Sequence, residues 1–331
     1  VSSDGHVSSD RQVFIVAVTG ATGFIGSAVC RYLRAKGLQV RGLARSQQKS
    51  QQLEDLGVEI VLGDLFNQTA LSKLTSNANA VVHCAGAVRG ASQAAFDHVN
   101  VDGIKQILDV IGHSPNNHSP RPVLVSLSSL AAREPELSFY AKSKLRGEKI
   151  ISENSDGLPW VVLRPPAVYG PGDTELLPLF RLMAKGLAPV PGSLNARFSM
   201  LYVDDLAAAI DACLRSENAL NAIFTLDDGH SGGYSWPDVS AVVAGLCQRR
   251  VRLFQVPLWL LDSISKINKR LAKILGYAPM LTPEKLCELR HENWVCDNQA
   301  LRHVIDWCPE VDLARGLQKT PGWPGHSSDT H

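Results

Sequence analysis

The sequence has no long apolar run, no cysteine pair and no excess of charge. Its apolar stretches stay below the roughly 18 residues that a transmembrane helix needs, so none is expected. The seven cysteines are scattered and lack a C-x-x-C pair, which argues against disulfides or a zinc site and for a cytoplasmic protein with reduced thiols. With 33 basic and 32 acidic residues, nothing indicates a nucleic-acid partner.

The chain does contain enough apolar material for a folded core. It has 331 residues, of which 45% are hydrophobic, so one large or two smaller cores can form. Residues 1–10 and 321–331 lack an apolar pattern and are expected to be a disordered leader and tail. No pattern of metal ligands is present, so no metal is predicted.

Short apolar runs alternate with helical segments over the first half of the chain. The run VFIVAV, from Val13, is rich in β-branched residues, as expected for a strand buried on both faces. The alternation predicts an α/β fold with a doubly wound parallel sheet of the Rossmann type, with ligands at the carboxyl ends of the strands. We place a nucleotide-binding domain at 11–165 and a smaller substrate lobe at 166–320, part of which crosses back to the main sheet.

A glycine-rich motif, VTGATGFIG, lies directly after the first predicted strand and opens a helix. Gly20 permits a tight turn, Gly23 lets the backbone approach a pyrophosphate, and Gly26 allows close packing of the helix. Amide groups and the dipole at the helix N-terminus favour phosphate. The motif therefore predicts a dinucleotide site, and a glycine turn without a ligand is the alternative.

The end of the second predicted strand distinguishes NADP from NAD. An acidic residue there would bind both ribose hydroxyls and repel a 2′-phosphate. This chain has Ala44 and Arg45 instead, and an arginine can make two hydrogen bonds to a phosphate. NADP is therefore the favoured cofactor, and NAD is the alternative if Arg45 only faces solvent.

Two later strand ends also face the predicted cofactor. Asp64, in LGDL, is placed to accept a hydrogen bond from the adenine amino group. Ala85, Gly86 and Ala87, in VVHCAGAV, are small enough to lie along the cofactor. His83 belongs to the same apolar strand and is interpreted as a packed core residue.

The segment SLSSLAAREPELSFYAKSKLRGE carries groups suited to acid–base chemistry. On a helix, Tyr140 and Lys144 lie one turn apart, so the ammonium can sit beside the phenol. A free phenol has a pKa of about 10, and a neighbouring cation lowers it. With a serine hydroxyl nearby, the arrangement suits proton transfer to or from an alcohol or ketone oxygen. A surface helix with an ordinary tyrosine and lysine is the alternative.

These motifs together resemble the extended short-chain dehydrogenase/reductases of the NAD-dependent epimerase/dehydratase superfamily. TGATGFIG, GDL, VVHCAGAV, VNVDGIKQIL, SLSSLAA, YAKSK, RPPAVYGPGD and LYVDDLA occur in the family's order over nearly the whole chain. The resemblance implies a catalytic set of Ser129, Tyr140 and Lys144, with Ser128 as the alternative serine. It also implies a homodimer.

The resemblance further implies which residues contact the cofactor and the small-molecule substrate. The cofactor contacts are Gly20, Thr22, Gly23, Phe24, Ile25, Gly26, Arg45, Asp64, Leu65, Ala85, Gly86, Ala87, Tyr140, Lys144, Pro165 and Val168. The substrate contacts are Ser128, Tyr169 and Arg197. Arg197 could contact a diphosphate, as an arginine does in nucleotide-sugar epimerases, or pair with an acidic surface residue. Ser129 and Tyr140 are closer in sequence than is usual for the family, so its substrate contacts from that loop are in doubt.

The C-terminal half contains a basic amphipathic segment at 257–275. Its apolar residues repeat at helical spacing, and its basic residues occupy other faces. Such a helix can lie on an anionic membrane, cover an apolar pocket or pack on its own lobe. The layout resembles the 3β-hydroxysteroid dehydrogenase and sterol C4-decarboxylating branch, whose members act on fused-ring alcohols.

The predicted function is that of an NADP-preferring oxidoreductase that interconverts a secondary alcohol and a ketone by a Ser–Tyr–Lys mechanism. Its predicted substrate is hydrophobic and sterol-like. One alternative is a nucleotide-sugar epimerase or dehydratase that recycles its cofactor within each turnover. A second alternative, from another class, is a non-catalytic NADP-binding regulator.

Overall fold

A computed structural model describes residues 14–112, 121–275, 277, 279 and 281–324. The predicted leader at 1–10 and residues 325–331 of the predicted tail at 321–331 lie outside these residues. Trp323, which belongs to that predicted tail, is buried in an apolar cluster. No helix within the described ranges combines the length and the apolar character that crossing a bilayer requires.

The described chain forms strands and helices with the following bounds. The strands are β1 Ile15–Thr19, β2 Gln39–Ala44, β3 Glu59–Leu62, β4 Ala80–His83, β5 Val123–Leu127, β6 Trp160–Arg164, β7 Ala167–Tyr169, β8 Leu187–Val190, β9 Arg197–Phe198, β10 Met200–Tyr202, β11 Ala222–Thr225, β12 Tyr234–Ser235, β13 Arg252–Gln255 and β14 Asn293–Trp294. The α-helices are α1 Phe24–Ala35, α2 Gln47–Asp55, α3 Gln68–Thr75, α4 Gln93–Asp97, α5 Gly103–Gly112, α6 Phe139–Asn154, α7 Leu177–Ala184, α8 Val203–Leu214, α9 Trp236–Cys247, α10 Leu258–Leu275, α11 Pro283–Arg290, α12 Gln299–Val304 and α13 Leu313–Lys319. A π-helical turn spans His98–Asp102, and short 3₁₀ turns span Leu130–Arg133 and Glu217–Ala219.

Seven parallel strands form the main sheet, in the order β3-β2-β1-β4-β5-β6-β11. The central strands are continuous apolar runs because helices cover both faces of the sheet, and Val16, Ala17 and Val18 of β1 have no exposed surface. The strand order reverses between β1 and β4, which opens a crevice at the carboxyl ends of these strands. The predicted doubly wound α/β sheet is confirmed.

Two apolar layers flank the main sheet. On one face α1 and α8 pack together, with Val29, Leu33 and Ile210 in the same buried cluster. On the other face α3, α5 and α6 contribute a second buried cluster. Because α8 and β11 both follow residue 165, the later half of the chain contributes to the main sheet, and the domain bounds stay a prediction.

A smaller lobe has a core of its own. Helices α7, α9 and α13 enclose Phe180, Met183 and Val243, with Tyr169 and Tyr202 beside them. Short strand pairs join this lobe, with β8 beside β13 and β9 between β12 and β14. Helix α11 precedes β14. Its Lys285 side chain lies beside Tyr140 of α6, so α11 borders the crevice of the main sheet.

Candidate active site

The glycine-rich motif forms a tight turn between β1 and α1. Gly20 has a φ of +67°, and a Cβ atom there would lie 2.7 Å from the backbone nitrogen of Ala85. A Cβ atom on Gly26 would lie only 2.1 Å from the carbonyl oxygen of Gly20. Gly23 precedes the helix and offers no capping side chain, so the first amides of α1 can face a ligand. The cradle fits the pyrophosphate of a dinucleotide.

The end of β2 carries a basic and not an acidic side chain. Arg45 is exposed and follows the buried Ala44, and Ser46 precedes α2 without capping it. Within the described ranges Arg45 has no hydrogen-bond or ion-pair partner. Asp64, after β3, is also exposed, and its Oδ1 atom accepts a hydrogen bond of 2.9 Å from the backbone of Phe66. These positions suit the ribose end of a dinucleotide, and the contacts themselves stay predictions.

A buried asparagine connects the end of β4 to helix α6. The amide of Asn100 accepts from the backbone nitrogen of Ala87 at 2.8 Å and donates to its carbonyl oxygen at 3.0 Å. It also donates to the hydroxyl of Ser143 at 2.9 Å. The π-helical turn His98–Asp102 presents this side chain, and Gly147 leaves the room, since a Cβ there would lie 2.6 Å from the Asn100 carbonyl oxygen. Asn100 belongs to the motif VNVDGIKQIL but is not among the residues predicted from the sequence to form the site.

The predicted serine, tyrosine and lysine come together at the crevice. Tyr140 and Lys144 lie in the first half of α6, and the hydroxyl group of Ser129 lies close to that of Tyr140. The Lys144 ammonium donates to the carbonyl oxygen of Leu127 at 2.9 Å and lies 6.0 Å from the centre of the Tyr140 ring. Gly86 faces the same ammonium, and a Cβ there would lie 3.1 Å from it. The structure thus brings the three predicted side chains together, and their catalytic roles stay a prediction.

The protonation of the phenol differs from the sequence-based expectation. Burial raises the pKa of Tyr140 to about 12, and the hydrogen bond from Ser129 opposes that rise only in part. The expected lowering by Lys144 does not outweigh this effect of burial. Burial also lowers the pKa of Lys144 to about 8, against the opposing charge of Glu148. Near neutral pH, Tyr140 is therefore a neutral phenol that can donate a proton.

The two adjacent serines face different partners. Ser128 donates to the buried carboxylate of Glu148, which also accepts from Arg164 at 2.8 and 2.5 Å. Ser129 lies beside Tyr140 instead. The geometry therefore favours Ser129 as the serine of the candidate site, and it gives Ser128 a place in a buried network below that site.

Helix α11 supplies charged groups that the sequence analysis did not connect with the site. The Lys285 ammonium lies 5.4 Å from the centre of the Tyr140 ring, nearer than that of Lys144. It is paired at 2.5 Å with the buried Glu288, which also accepts from Ser138 at the start of α6. A small pocket joins α11 to Tyr140, and its lining combines charged side chains of α11 with apolar side chains. Its apolar lining consists of Val88, Phe96, Phe139 and Pro279.

Two predicted substrate contacts have partners within the smaller lobe. Tyr169 is buried, and its hydroxyl donates to the carbonyl oxygen of Asp312 at 3.1 Å. Arg197 donates to the carbonyl oxygen of Gly232 at 2.6 Å, and one guanidinium nitrogen lies 3.9 Å from a carboxylate oxygen of Asp238. Of the two roles considered for Arg197, the geometry matches pairing with an acidic residue, and substrate contact by either side chain stays a prediction.

The other predicted cofactor contacts lie along the same crevice. Thr22, Phe24 and Ile25 are half-buried in the glycine turn and the first turn of α1. Pro165 follows β6, and its carbonyl oxygen accepts from Leu130 at 2.9 Å. Two further residues are Leu65, buried after β3, and Val168, half-buried in β7.

His83 is buried at the end of β4. Its Nδ1 atom and the hydroxyl of Thr19 are 2.8 Å apart. Burial lowers the pKa of His83 to about 3, so the ring is neutral at ordinary pH. This environment agrees with its interpretation as a core residue.

Comparisons with known proteins identify relatives over most of the chain. Residues 16–225 match the model of the NAD dependent epimerase/dehydratase family. A protein of Caulobacter vibrioides named ceramide reductase is 36% identical over 309 residues, which cover 93% of this chain and 94% of that protein. A sterol-4-alpha-carboxylate 3-dehydrogenase, decarboxylating, of Candida albicans is 24% identical, with 93% and 97% of the two chains covered.

Solved structures share the fold at low sequence identity. The UDP-glucose 4-epimerase of Thermotoga maritima aligns with a TM-score of 0.71 at 18% identity, covering 93% of this chain and 97% of that one. At this identity the likeness concerns the fold alone.

Replacement of Gly26 by alanine tests the dinucleotide cradle. The added methyl group collides with the Gly20 carbonyl oxygen, so affinity for NADP(H), followed by protein fluorescence, should fall at least about tenfold. The control is Gly245→Ala, because a Cβ atom at Gly245 meets no atom within 4 Å. Equal affinity of both variants and the wild-type protein would place the dinucleotide elsewhere.

Proposed function

The chain belongs to the NAD dependent epimerase/dehydratase family, and we propose that it interconverts a ketone and a secondary alcohol on an apolar lipid, preferring NADP(H). It is an NAD(P)-dependent oxidoreductase of the extended short-chain dehydrogenase/reductase type. The cofactor preference, the substrate class and the roles of individual residues are the proposed part.

The observation that carries the proposal is the neutral phenol of Tyr140, which lies beside the Ser129 hydroxyl at the end of the crevice. A protonated phenol can donate to the oxygen of a ketone as that oxygen gains negative charge. Ser129 donates a second hydrogen bond to the same oxygen and so fixes its position. A bound nicotinamide would supply the hydride for this reduction.

Lys144 has two proposed roles, which are to orient the cofactor and to stabilise Tyr140 after proton transfer. Its ammonium lies between α6 and the end of β5, where it donates to Leu127. A further hydrogen bond from this ammonium to a ribose hydroxyl would orient the cofactor toward the phenol. Its positive charge also stabilises Tyr140 as the phenol loses its proton.

The proposal of a lipid substrate is supported by the names of two relatives and by the lining of the pocket beside Tyr140. One relative is named ceramide reductase and another a sterol-4-alpha-carboxylate 3-dehydrogenase. The pocket beside Tyr140 includes the apolar side chains of Val88, Phe96 and Pro279, which can contact the hydrocarbon part of a lipid. The guanidinium of Arg197, which a nucleotide-sugar enzyme would use for a diphosphate, already donates to its own lobe.

A spectrophotometric assay of NADPH oxidation tests this function. The substrates are a keto form of ceramide, a 3-ketosterol and UDP-glucose. We expect net oxidation with a keto lipid, and Tyr140→Phe should lower kcat/KM at least about a hundredfold because the proton donor is lost. Ser129→Ala should lower it by a similar factor, whereas Ser128→Ala, whose hydroxyl faces Glu148, should stay within about threefold.

The assay also separates the alternatives. Conversion of UDP-glucose without net cofactor oxidation would establish an epimerase. NADP(H) binding without turnover of any substrate would favour a regulator.

Replacement of Arg45 tests the preference for NADP(H). Arg45→Ser removes the guanidinium and leaves a small polar side chain. The KM for NADPH should rise about tenfold, since one charged contact to the 2′-phosphate is lost, and the KM for NADH should not change. The ratio of the two values serves as the internal control. A proportional rise for both cofactors would show that Arg45 does not read the phosphate.

The pH dependence of ketone reduction should report Lys144. Its pKa of about 8 means that the ammonium is present below that pH and is lost above it. We therefore expect kcat/KM to fall as pH rises above about 8, while Tyr140, with a pKa of about 12, remains protonated. Lys144→Arg should remove this alkaline decline because a guanidinium stays charged. A wild-type profile that is flat to about pH 10 would contradict the assignment.

A further inference from the structure

Helix α10 presents a row of large apolar side chains to solvent. The row consists of Leu260, Ile264, Ile267, Leu271 and Leu275, which are between 36% and 70% exposed. Their spacing of three and four residues places them on one face of the helix. A surface helix normally turns such a face toward the core, so this face has the character of a contact surface.

A different face of α10 holds the helix to the protein. Ser265 and Ala272 are buried, and the helix packs against α11. Asn268 donates to the carbonyl oxygen of Leu281 at 2.9 Å in the segment between the two helices. The apolar row is therefore available while the helix stays attached.

The charge of α10 differs from that of the whole chain. The helix carries four basic residues, Lys266, Lys269, Arg270 and Lys273, against the single acidic Asp262, whereas the protein as a whole is close to neutral. Lys266 and Arg270 are exposed. Trp259, in the first turn, is 69% exposed. An apolar face, a basic flank and a tryptophan at one end are the features of helices that lie in a bilayer interface.

We propose that α10 docks the protein on an anionic lipid bilayer, with its apolar row in the acyl boundary and Lys266 and Arg270 at the headgroups. A second copy of the chain fits this surface less well. In a symmetric dimer the same face meets itself, and two helices with excess positive charge would repel each other.

The docking surface lies next to the candidate active site, and this step rests on the proposed function. Pro279 and Thr282, between α10 and α11, line the pocket that contains Tyr140. Lys285 on α11 approaches the same ring. A lipid in the bilayer beneath α10 would therefore lie close to the pocket that contains Tyr140.

Vesicle co-sedimentation of the full chain tests the surface. Wild-type protein is mixed with vesicles of phosphatidylcholine alone, or of phosphatidylcholine with phosphatidylglycerol. We expect binding to the anionic vesicles that weakens as salt is added. The double variants I264S/L271S and K266E/R270E should each bind at least about tenfold more weakly.

Matched controls separate the surface from general effects of substitution. Leu56→Ser replaces a leucine that is as exposed as Leu271, at 45%, but lies at the end of α2. Lys149→Glu reverses an exposed charge on α6. Both controls should bind the anionic vesicles as the wild-type protein does. Thermal unfolding of every variant checks that the fold is intact.

Three results would overturn the proposal. The first is that wild-type protein does not co-sediment with anionic vesicles. The second is that I264S/L271S binds these vesicles as strongly as the wild-type protein does. The third is a wild-type dimer in sedimentation velocity that becomes monomeric in I264S/L271S and binds no vesicles in either form, which would assign the surface to a second copy.

Activity measurements distinguish this proposal from the proposed function. If both are right, I264S/L271S keeps turnover of a short-chain, water-soluble ketone and loses turnover of a keto lipid embedded in vesicles. If vesicle binding follows the expected pattern but no ketone is reduced, the docking surface stands and the proposed function fails.

Discussion

The buried amide of Asn100 is the contact on which the geometry of the site depends. It makes both hydrogen bonds to the backbone of Ala87 and a third to Ser143, so it fixes the segment after β4 against α6. Each bond contributes only about 1 kcal/mol net, but a buried polar group left without a partner costs about 1–3 kcal/mol. Loss of the amide would therefore leave the backbone N–H and carbonyl groups of Ala87 without these partners. It would also remove a contact that positions α6, which carries Tyr140 and Lys144.

Close approach around this amide requires small residues. A Cβ atom on Gly86 would crowd both the Lys144 ammonium and the Asn100 side chain, and one on Gly147 would crowd the Asn100 backbone. The glycines allow the strand end, the π-helical turn and α6 to meet with almost no intervening volume. Polar groups from three segments can then satisfy one another inside an apolar protein, which is what burial demands.

The sequence predicts those parts of this arrangement that depend on residue patterns within a short segment of the chain. β-branched runs predicted the parallel sheet, the glycine spacing predicted the turn before α1, and helical periodicity predicted that Tyr140 and Lys144 share a face. Other parts depend on contacts between distant segments. Glu288 reaches Ser138 from 150 positions away, and no periodicity could connect them. The family resemblance favoured Ser129 over its neighbour Ser128, and the position of Glu148 in the fold shows that their hydroxyl groups have different partners.

The protonation of Tyr140 follows from a competition that sequence spacing alone cannot resolve. A full positive charge about 6 Å away would favour the phenolate by about 3 kcal/mol at an effective dielectric constant of about 20. Lys285 is the nearer ammonium, but its ion pair with Glu288 offsets most of its field, and the Glu288 carboxylate itself raises the pKa of the phenol. The Lys144 ammonium donates to the Leu127 carbonyl oxygen, and burial lowers the pKa of this ammonium to about 8. Burial therefore dominates, and it keeps on Tyr140 the proton that reduction of a ketone requires.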